Sequence, residues 1–244
     1  MGTHSMDGHG ADRPGLDGPG LKEGSGSAAG HGAAAEGFSR ESYDQRYASV
    51  HALWSGNPNP QLVQEAASLS PGRALDAGCG EGADAIWLAG RGWHVTAVDF
   101  SEVALTRAAE HAADEGAEVS SRIDFLQREL GVWTPEPAAF NLVSAQFLQL
   151  PRAQRDVVFT ALASAVAPGG TLLMVGHSVS DLEGHVHRPP SREVYFTAEE
   201  LADTILEPDT WDIVACGSRA RIVQPDGAPS ATVHDAVLRA ARRR

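Results

Sequence analysis

The sequence predicts an α/β domain built on a doubly wound, mostly parallel sheet of seven strands, closed at its C-terminal edge by an antiparallel hairpin. Three observations predict it. From Arg73 onward, short apolar runs alternate with amphipathic helical patterns, which is the signature of strands wrapped by helices. The first run leads through a glycine-rich turn, Gly78-Cys79-Gly80-Glu81-Gly82, into a helix. The last two runs, 211–216 and 232–238, are linked through Gly227 with no helical pattern between them, so they pair as a hairpin.

The elements follow in order. Residues 38–47 are polar, aromatic and helical in pattern, and the prolines Pro58 and Pro60 then break the chain. Leu62, Val63, Ala66 and Leu69 recur at helical spacing before Pro71-Gly72. Strands are predicted at 73–77, 93–98, 122–127, 140–145 and 171–176, with helices at 83–90, from the Ser101 N-cap to about Gly116, and at 152–166. The run 140–145 is almost continuously apolar, as a strand covered on both faces must be. Thr197-Ala-Glu-Glu200 is a capping-box pattern and opens a further helix.

The glycines between the first strand and its helix let backbone approach a ligand where a Cβ would collide, and Asp99, nineteen positions past Gly80, stands where such folds place a carboxylate on a ribose. An adenosine-containing cofactor follows. The same glycines also satisfy the dinucleotide pattern of NAD and FAD enzymes, so an oxidoreductase is one reading. Asp76, two positions before Gly78, points elsewhere: a carboxylate there repels a pyrophosphate and suits a ligand with a cationic amine or a bound water chain. In Asp76-Ala-Gly78-Cys-Gly80-Glu-Gly82, and in Ala167-Pro168-Gly169-Gly170 ahead of a downstream apolar run, the chain resembles the class I S-adenosylmethionine-dependent methyltransferases. The aromatic lead, Tyr43-Asp-Gln-Arg46-Tyr47 and then Trp54-Ser-Gly-Asn-Pro-Asn-Pro60, is similar to that of the small-molecule thiol, thiopurine, halide and tellurite methyltransferases.

That resemblance implies a Rossmann-like methyltransferase fold, S-adenosylmethionine as donor and S-adenosylhomocysteine as product. It places Asp76, Gly78, Gly80, Asp99, Phe100, Ser144 and Trp54 around the donor. It also offers Glu129 as the carboxylate near the adenine amine, the other reading of Glu129 being an exposed helix-start residue. Helices within 38–70 would form a lid, with Tyr43, Tyr47 and Phe147 beside a small acceptor; packing of these aromatics against the sheet is the alternative. Gln146 and His177 stand at strand ends where chemistry is expected, and His177 is open as general base, positioning donor or bystander. The stretch after the fourth strand, Ser144-Ala-Gln146-Phe147-Leu148-Gln149-Leu-Pro151, lacks the Asp/Asn-Pro-Pro-Tyr/Phe clamp with which related enzymes hold a flipped base.

Composition sets further bounds. A net charge of −13 opposes binding of a nucleic-acid backbone, which needs clustered Lys and Arg. Residues 1–37 are Gly-, Ala- and Ser-rich with few large apolar side chains and are expected as a disordered leader to a domain at 38–244. No run approaches the length of a membrane span. Cytoplasmic location, no nucleic-acid or membrane partner, and a monomer or homodimer are therefore expected. Cys79 and Cys216 lack metal spacing, and Cys79 reads as a packed thiol. His177, Asp181, Glu183, His185 and His187 form a run of potential metal donors, but methyl transfer from a sulfonium needs no metal and none is assigned. The alternative function is a protein that binds the donor or its product without turnover.

Overall fold

A computed structural model describes residues 39–49, 56–183, 192–224 and 229–244. The elements are α1 (Arg40–Ser49), α2 (Pro60–Ala66), β1 (Arg73–Ala77), α3 (Ala83–Ala89), β2 (His94–Asp99), α4 (Glu102–Asp114), α5 (Ala117–Ser120), β3 (Ile123–Gln127), β4 (Phe140–Gln146), α6 (Arg152–Ser164), β5 (Val166–His177), α7 (Ala198–Ile205), β6 (Trp211–Val223) and β7 (Ala231–Arg242). The expected leader, 1–37, lies outside the described residues.

The seven strands form one sheet in the order β3-β2-β1-β4-β5-β7-β6. Strands β1 to β5 run parallel, and β7 lies antiparallel between β5 and β6. The predicted caps form: the Ser101 hydroxyl accepts from the Ala104 N–H at 3.2 Å, and the Thr197 hydroxyl accepts from the Glu200 N–H at 3.1 Å. A third cap was not read from sequence. The Asn59 carboxamide accepts from the Gln61 N–H at 2.8 Å and starts α2, with Pro60 at its first position.

Both faces of the sheet are covered. Val158, Phe159 and Leu162 of α6 pack with Leu201, Ala202 and Ile205 of α7 on one face. Leu62 and Ala66 of α2 pack with Ala85, Leu88 and Ala89 of α3 on the other. Burying each leucine contributes roughly 1.5–3 kcal/mol, and central strands β1 and β4 are accordingly apolar on both sides.

Two details depart from expectation. Residues 167–170, expected ahead of the fifth strand at 171–176, sit inside β5 as a bulge, because the register jumps from Phe140↔Val166 to Leu142↔Thr171. Gly170 is needed there on packing grounds: a Cβ would lie 2.9 Å from the Ala167 carbonyl oxygen and 3.0 Å from that of Asn141. Strands β6 and β7 also extend well beyond 211–216 and 232–238, since their polar outer halves pair backbone to backbone whatever their side chains.

The chain winds outward from β1 to β2 and β3, then crosses to β4 on the other side of β1. That reversal leaves a crevice at the carboxyl ends of β1 and β4, where open α/β sheets bind ligands. Asp76 and Ser144 are register partners at this crevice.

Candidate active site

Asp76, at the end of β1, is 2 % exposed, and its Oδ2 has no hydrogen-bond partner among the described residues. On the neighbouring strand the Gln146 Nε2 donates to the buried Ser144 hydroxyl at 2.8 Å. This turns Gln146 so that its Oε1 is also buried and unpartnered among the described residues. Two orphaned acceptors on adjacent strand ends are costly unless a donor meets them.

Asp99 closes β2. Its Oδ2 accepts from the Gly80 N–H at 3.0 Å and its Oδ1 from the Ser101 N–H at 2.9 Å, so it fixes the glycine turn. The turn is further held by Gly78 and Cys79 N–H groups donating to the Val98 carbonyl at 2.8 and 3.0 Å. Gly78 has φ +79°, a conformation that favours glycine, and a Cβ on it would meet Leu148 Cδ1 at 3.0 Å, so the turn packs closely under that side chain.

A third carboxylate, Asp84, enters from the first turn of α3 and accepts from the Asn59 N–H at 2.6 Å. Burial pushes its pKa up to about 6. Asp76 is raised well above the usual carboxylate range by burial, then by the charges of Asp84 and Asp99, and Asp99 is raised by burial against its backbone hydrogen bonds. Among the described residues none of the three has an ion-pair partner. Three neighbouring acids with an orphaned oxygen fit a ligand that brings an ammonium or sulfonium. The same burial, with Asp76 and Asp99 nearby, pushes the Cys79 thiol well up, in keeping with a packed, inert sulfur.

The remaining predicted residues divide. Phe100 follows Asp99, and its ring lies 5.5 Å from that of Tyr43 on α1. Tyr47, expected beside the acceptor, is instead packed at 3 % exposure against Ala104 of α4. Arg107 locks it there, bridging the Tyr47 carbonyl at 2.6 Å and the Glu81 carboxylate at 2.8 Å. A hydrogen bond from the Ser101 hydroxyl to Asp44 fastens the same helix. Glu129 lies beyond the end of β3 with its side chain exposed, and is not drawn into the carboxylate cluster. Trp54 lies outside the described residues.

Beyond Gln146 the chain turns through Phe147 at φ +53°, a left-handed conformation that a bulky residue adopts only under constraint. The Phe147 ring sits 4.7 Å from that of His177 at the end of β5, and His177 is 5.9 Å from Tyr195. Gln149 joins lid helix to strand: its Oε1 accepts from the Tyr43 hydroxyl at 3.4 Å and its Nε2 lies 3.3 Å from His177 Nε2. Arg155, 2 % exposed, donates to the Tyr195 carbonyl at 3.2 Å and so holds that ring in place. A cavity of about 570 Å³ is lined in part by Tyr195, but its Arg152, Arg155, Asp156 and Glu200 are spent on one another.

Asp181 is engaged elsewhere, binding the His234 ring and backbone N–H, each at 2.8 Å. His185 and His187 lie outside the described residues. Among the described residues no group of three or more His, Cys, Asp or Glu side chains is disposed to hold a metal, and no helix is long and apolar enough to cross a membrane.

Comparison with known proteins agrees with this geometry. Residues 74–170 match the family model described as a methyltransferase domain. A 2-heptyl-1-hydroxyquinolin-4(1H)-one methyltransferase of Mycobacteroides abscessus is 28 % identical over 163 residues, covering 61 % of this chain and 70 % of that protein. A ubiquinone biosynthesis O-methyltransferase of Xylella fastidiosa is 28 % identical over 147 residues, 55 % of this chain and 58 % of that protein, so the match spans little more than half of that relative. Among solved structures, the protein from the conversion of a disulfide bond into a thioacetal group during echinomycin biosynthesis superposes with TM-score 0.65 at 26 % identity, over 84 % of this chain and 92 % of that one. Residues 74–170 thus form a methyltransferase domain of the S-adenosylmethionine-dependent kind.

Proposed function

We propose that this protein transfers the methyl group of S-adenosylmethionine to an oxygen, sulfur or nitrogen of a small apolar or aromatic molecule. The unpartnered Asp76 Oδ2, beside Gln146 Oε1 and among uncompensated acids, is the observation that carries the reading: it is a place for the donor's cationic amino-acid end. Asp99 offers its carboxylate to the ribose, Gly78 and Gly80, both at positive φ, shape the turn beside the donor, and Phe100 and Tyr43 supply aromatic faces.

The bound donor supplies an electrophilic methyl on a sulfonium, so the protein's task is mainly alignment. Phe147 and His177, the latter backed by the buried Tyr195, form a wall next to Gln146 on which a flat acceptor can stack. His177 is the group placed to take the acceptor's proton, and Gln149 holds the imidazole in the wall. The helix α1, fastened by Ser101 and Arg107, serves as the described part of the lid. The chain's acidity and the missing base clamp support a small acceptor over a nucleic acid. So does the relative whose name states a hydroxyquinolone as its substrate.

Incubation with methyl-labelled donor and a panel of thiols, phenols, amines and carboxylic acids tests the reading. Label transferred to at least one small acceptor supports it. Tight binding of S-adenosylhomocysteine with no transfer to any would instead mark a binding protein without turnover.

A further inference from the structure

The outer half of the β6–β7 hairpin carries a polar cluster that the donor site does not use. Asp235 of β7 is the register partner of His177 and is fully buried. It receives the Gln61 Nε2 at 3.2 Å and the Arg221 Nε at 2.9 Å. Arg219 is spent on Gln61 at 3.2 Å and on Glu65 at 2.5 Å, while Arg239 binds the other Glu65 oxygen at 3.2 Å. Three arginines against two carboxylates leave one positive charge in excess, in a chain whose net charge is −13.

Arg221 and Arg219 are the two through which the cluster reaches the surface, and Arg219 is already spent on Glu65 and Gln61. Of Arg221 only the Nε is engaged, so among the described residues both terminal nitrogens keep their N–H groups free. Its side chain is 27 % exposed. The guanidinium carbon lies 5.7 Å from the centroid of Phe147, whose other neighbour is His177 at 4.7 Å. Anchored at Nε by a buried acid and resting on an aromatic ring, the fork is pre-organised, and its open edge is complementary to the two oxygens of a carboxylate.

We propose that Arg221 is a specificity residue that selects acceptors bearing an anionic group, an aromatic carboxylate being the class that fits both the ring wall and the fork. This rests on the reading of Phe147 and His177, backed by Tyr195, as the acceptor wall. An acceptor stacked on Phe147 places its acid against Arg221 while its reacting atom extends toward His177 and Gln146. A neutral analogue of the same shape gains the stacking but leaves the fork hydrated and unused.

The test is calorimetric titration of the protein saturated with S-adenosylhomocysteine, using matched pairs: 4-hydroxybenzoate against 4-hydroxybenzamide, and 2-naphthoate against 2-naphthamide. The acid of at least one pair is expected to bind the wild-type protein about tenfold or more tighter than its amide. Arg221→Gln is expected to erase that preference while leaving amide affinity and S-adenosylhomocysteine affinity unchanged. Arg221→Lys, which keeps the charge without the fork, should retain part of it. Equal binding of acid and amide, no binding of any acid at millimolar concentration, or a preference that survives Arg221→Gln would overturn the proposal. The wild-type comparison stands by itself if the variants fail to fold. Failure of S-adenosylhomocysteine to bind would remove the donor reading, and the proposal with it. Normal cofactor binding without acid preference sinks the role of Arg221 alone.

Discussion

Replacing Asp76 by Asn keeps the side chain's shape and removes its charge, and the structure predicts opposite effects on ligand binding and on stability. The Oδ2 lacks a partner among the described residues, so whatever it meets in the bound donor is met with a full charge. Losing a charge-assisted hydrogen bond of about 1.5–3 kcal/mol weakens binding by roughly 10- to 150-fold. Without ligand the same carboxylate is a burden, because burial and the charges of Asp84 and Asp99 raise its pKa. An acid whose folded pKa lies above its unfolded value destabilises the fold as pH rises from the unfolded pKa through the folded one. The ligand-free variant should therefore be more stable than wild type at neutral pH, and its stability should fall less with rising pH. Calorimetry with S-adenosylmethionine and urea unfolding of the ligand-free protein at several pH values measure the two effects. Donor affinity within twofold of wild type, or a ligand-free variant less stable at neutral pH, would refute the assignment of Asp76 as an uncompensated carboxylate awaiting a cation.

The same acids make donor binding pH-dependent. Asp84 titrates at about 6 and Asp76 is also raised, so a cationic ligand that favours their charged forms should bind more tightly as pH rises from 5 toward 7.5 and should release protons. Calorimetry in two buffers of different ionisation enthalpy reads this directly, and proton uptake would contradict it. His177→Gln should lower turnover by about 10²- to 10⁴-fold with little change in S-adenosylhomocysteine affinity, as expected for loss of a general base; equal rates would leave the histidine a wall residue only. Gly82→Ala should lower the urea midpoint by an amount equivalent to about 2–4 kcal/mol, since Gly82 has φ +87° and the new Cβ would lie 2.8 Å from that of Ala108.

What the sequence revealed and what it hid follow from the range of the interactions. The glycine turn, Asp99 and the alternation of strands and helices are local patterns, and all seven strands appear where apolar runs predict them. Asp76 was legible because a carboxylate within an apolar strand is itself an anomaly. Asp84 was not, since an acid in the first turn of a helix is ordinary, and only the fold reveals that it shares a crevice with two others. Tyr47 and Tyr43 lie one helical turn apart and look equivalent in sequence. Arg107, fixed to Tyr47 across 60 positions, decides that Tyr47 packs while Tyr43 reaches Gln149.

The hairpin cluster was least legible of all. Arg221 and Asp235 meet only through the register of β6 on β7, and Gln61 joins Asp235 from 174 positions away. A one-residue slip in that register would turn Arg221 to the other face of the sheet. The donor site is thus written in short local motifs around a fixed cofactor. The proposed acceptor side is assembled from strand ends and an edge hairpin, which meet only in the folded sheet. If Arg221 acts as proposed, the edge of the sheet rather than the glycine turn is where this protein's selectivity resides, and exchanging polar residues along β6 should alter acceptor choice without touching donor affinity.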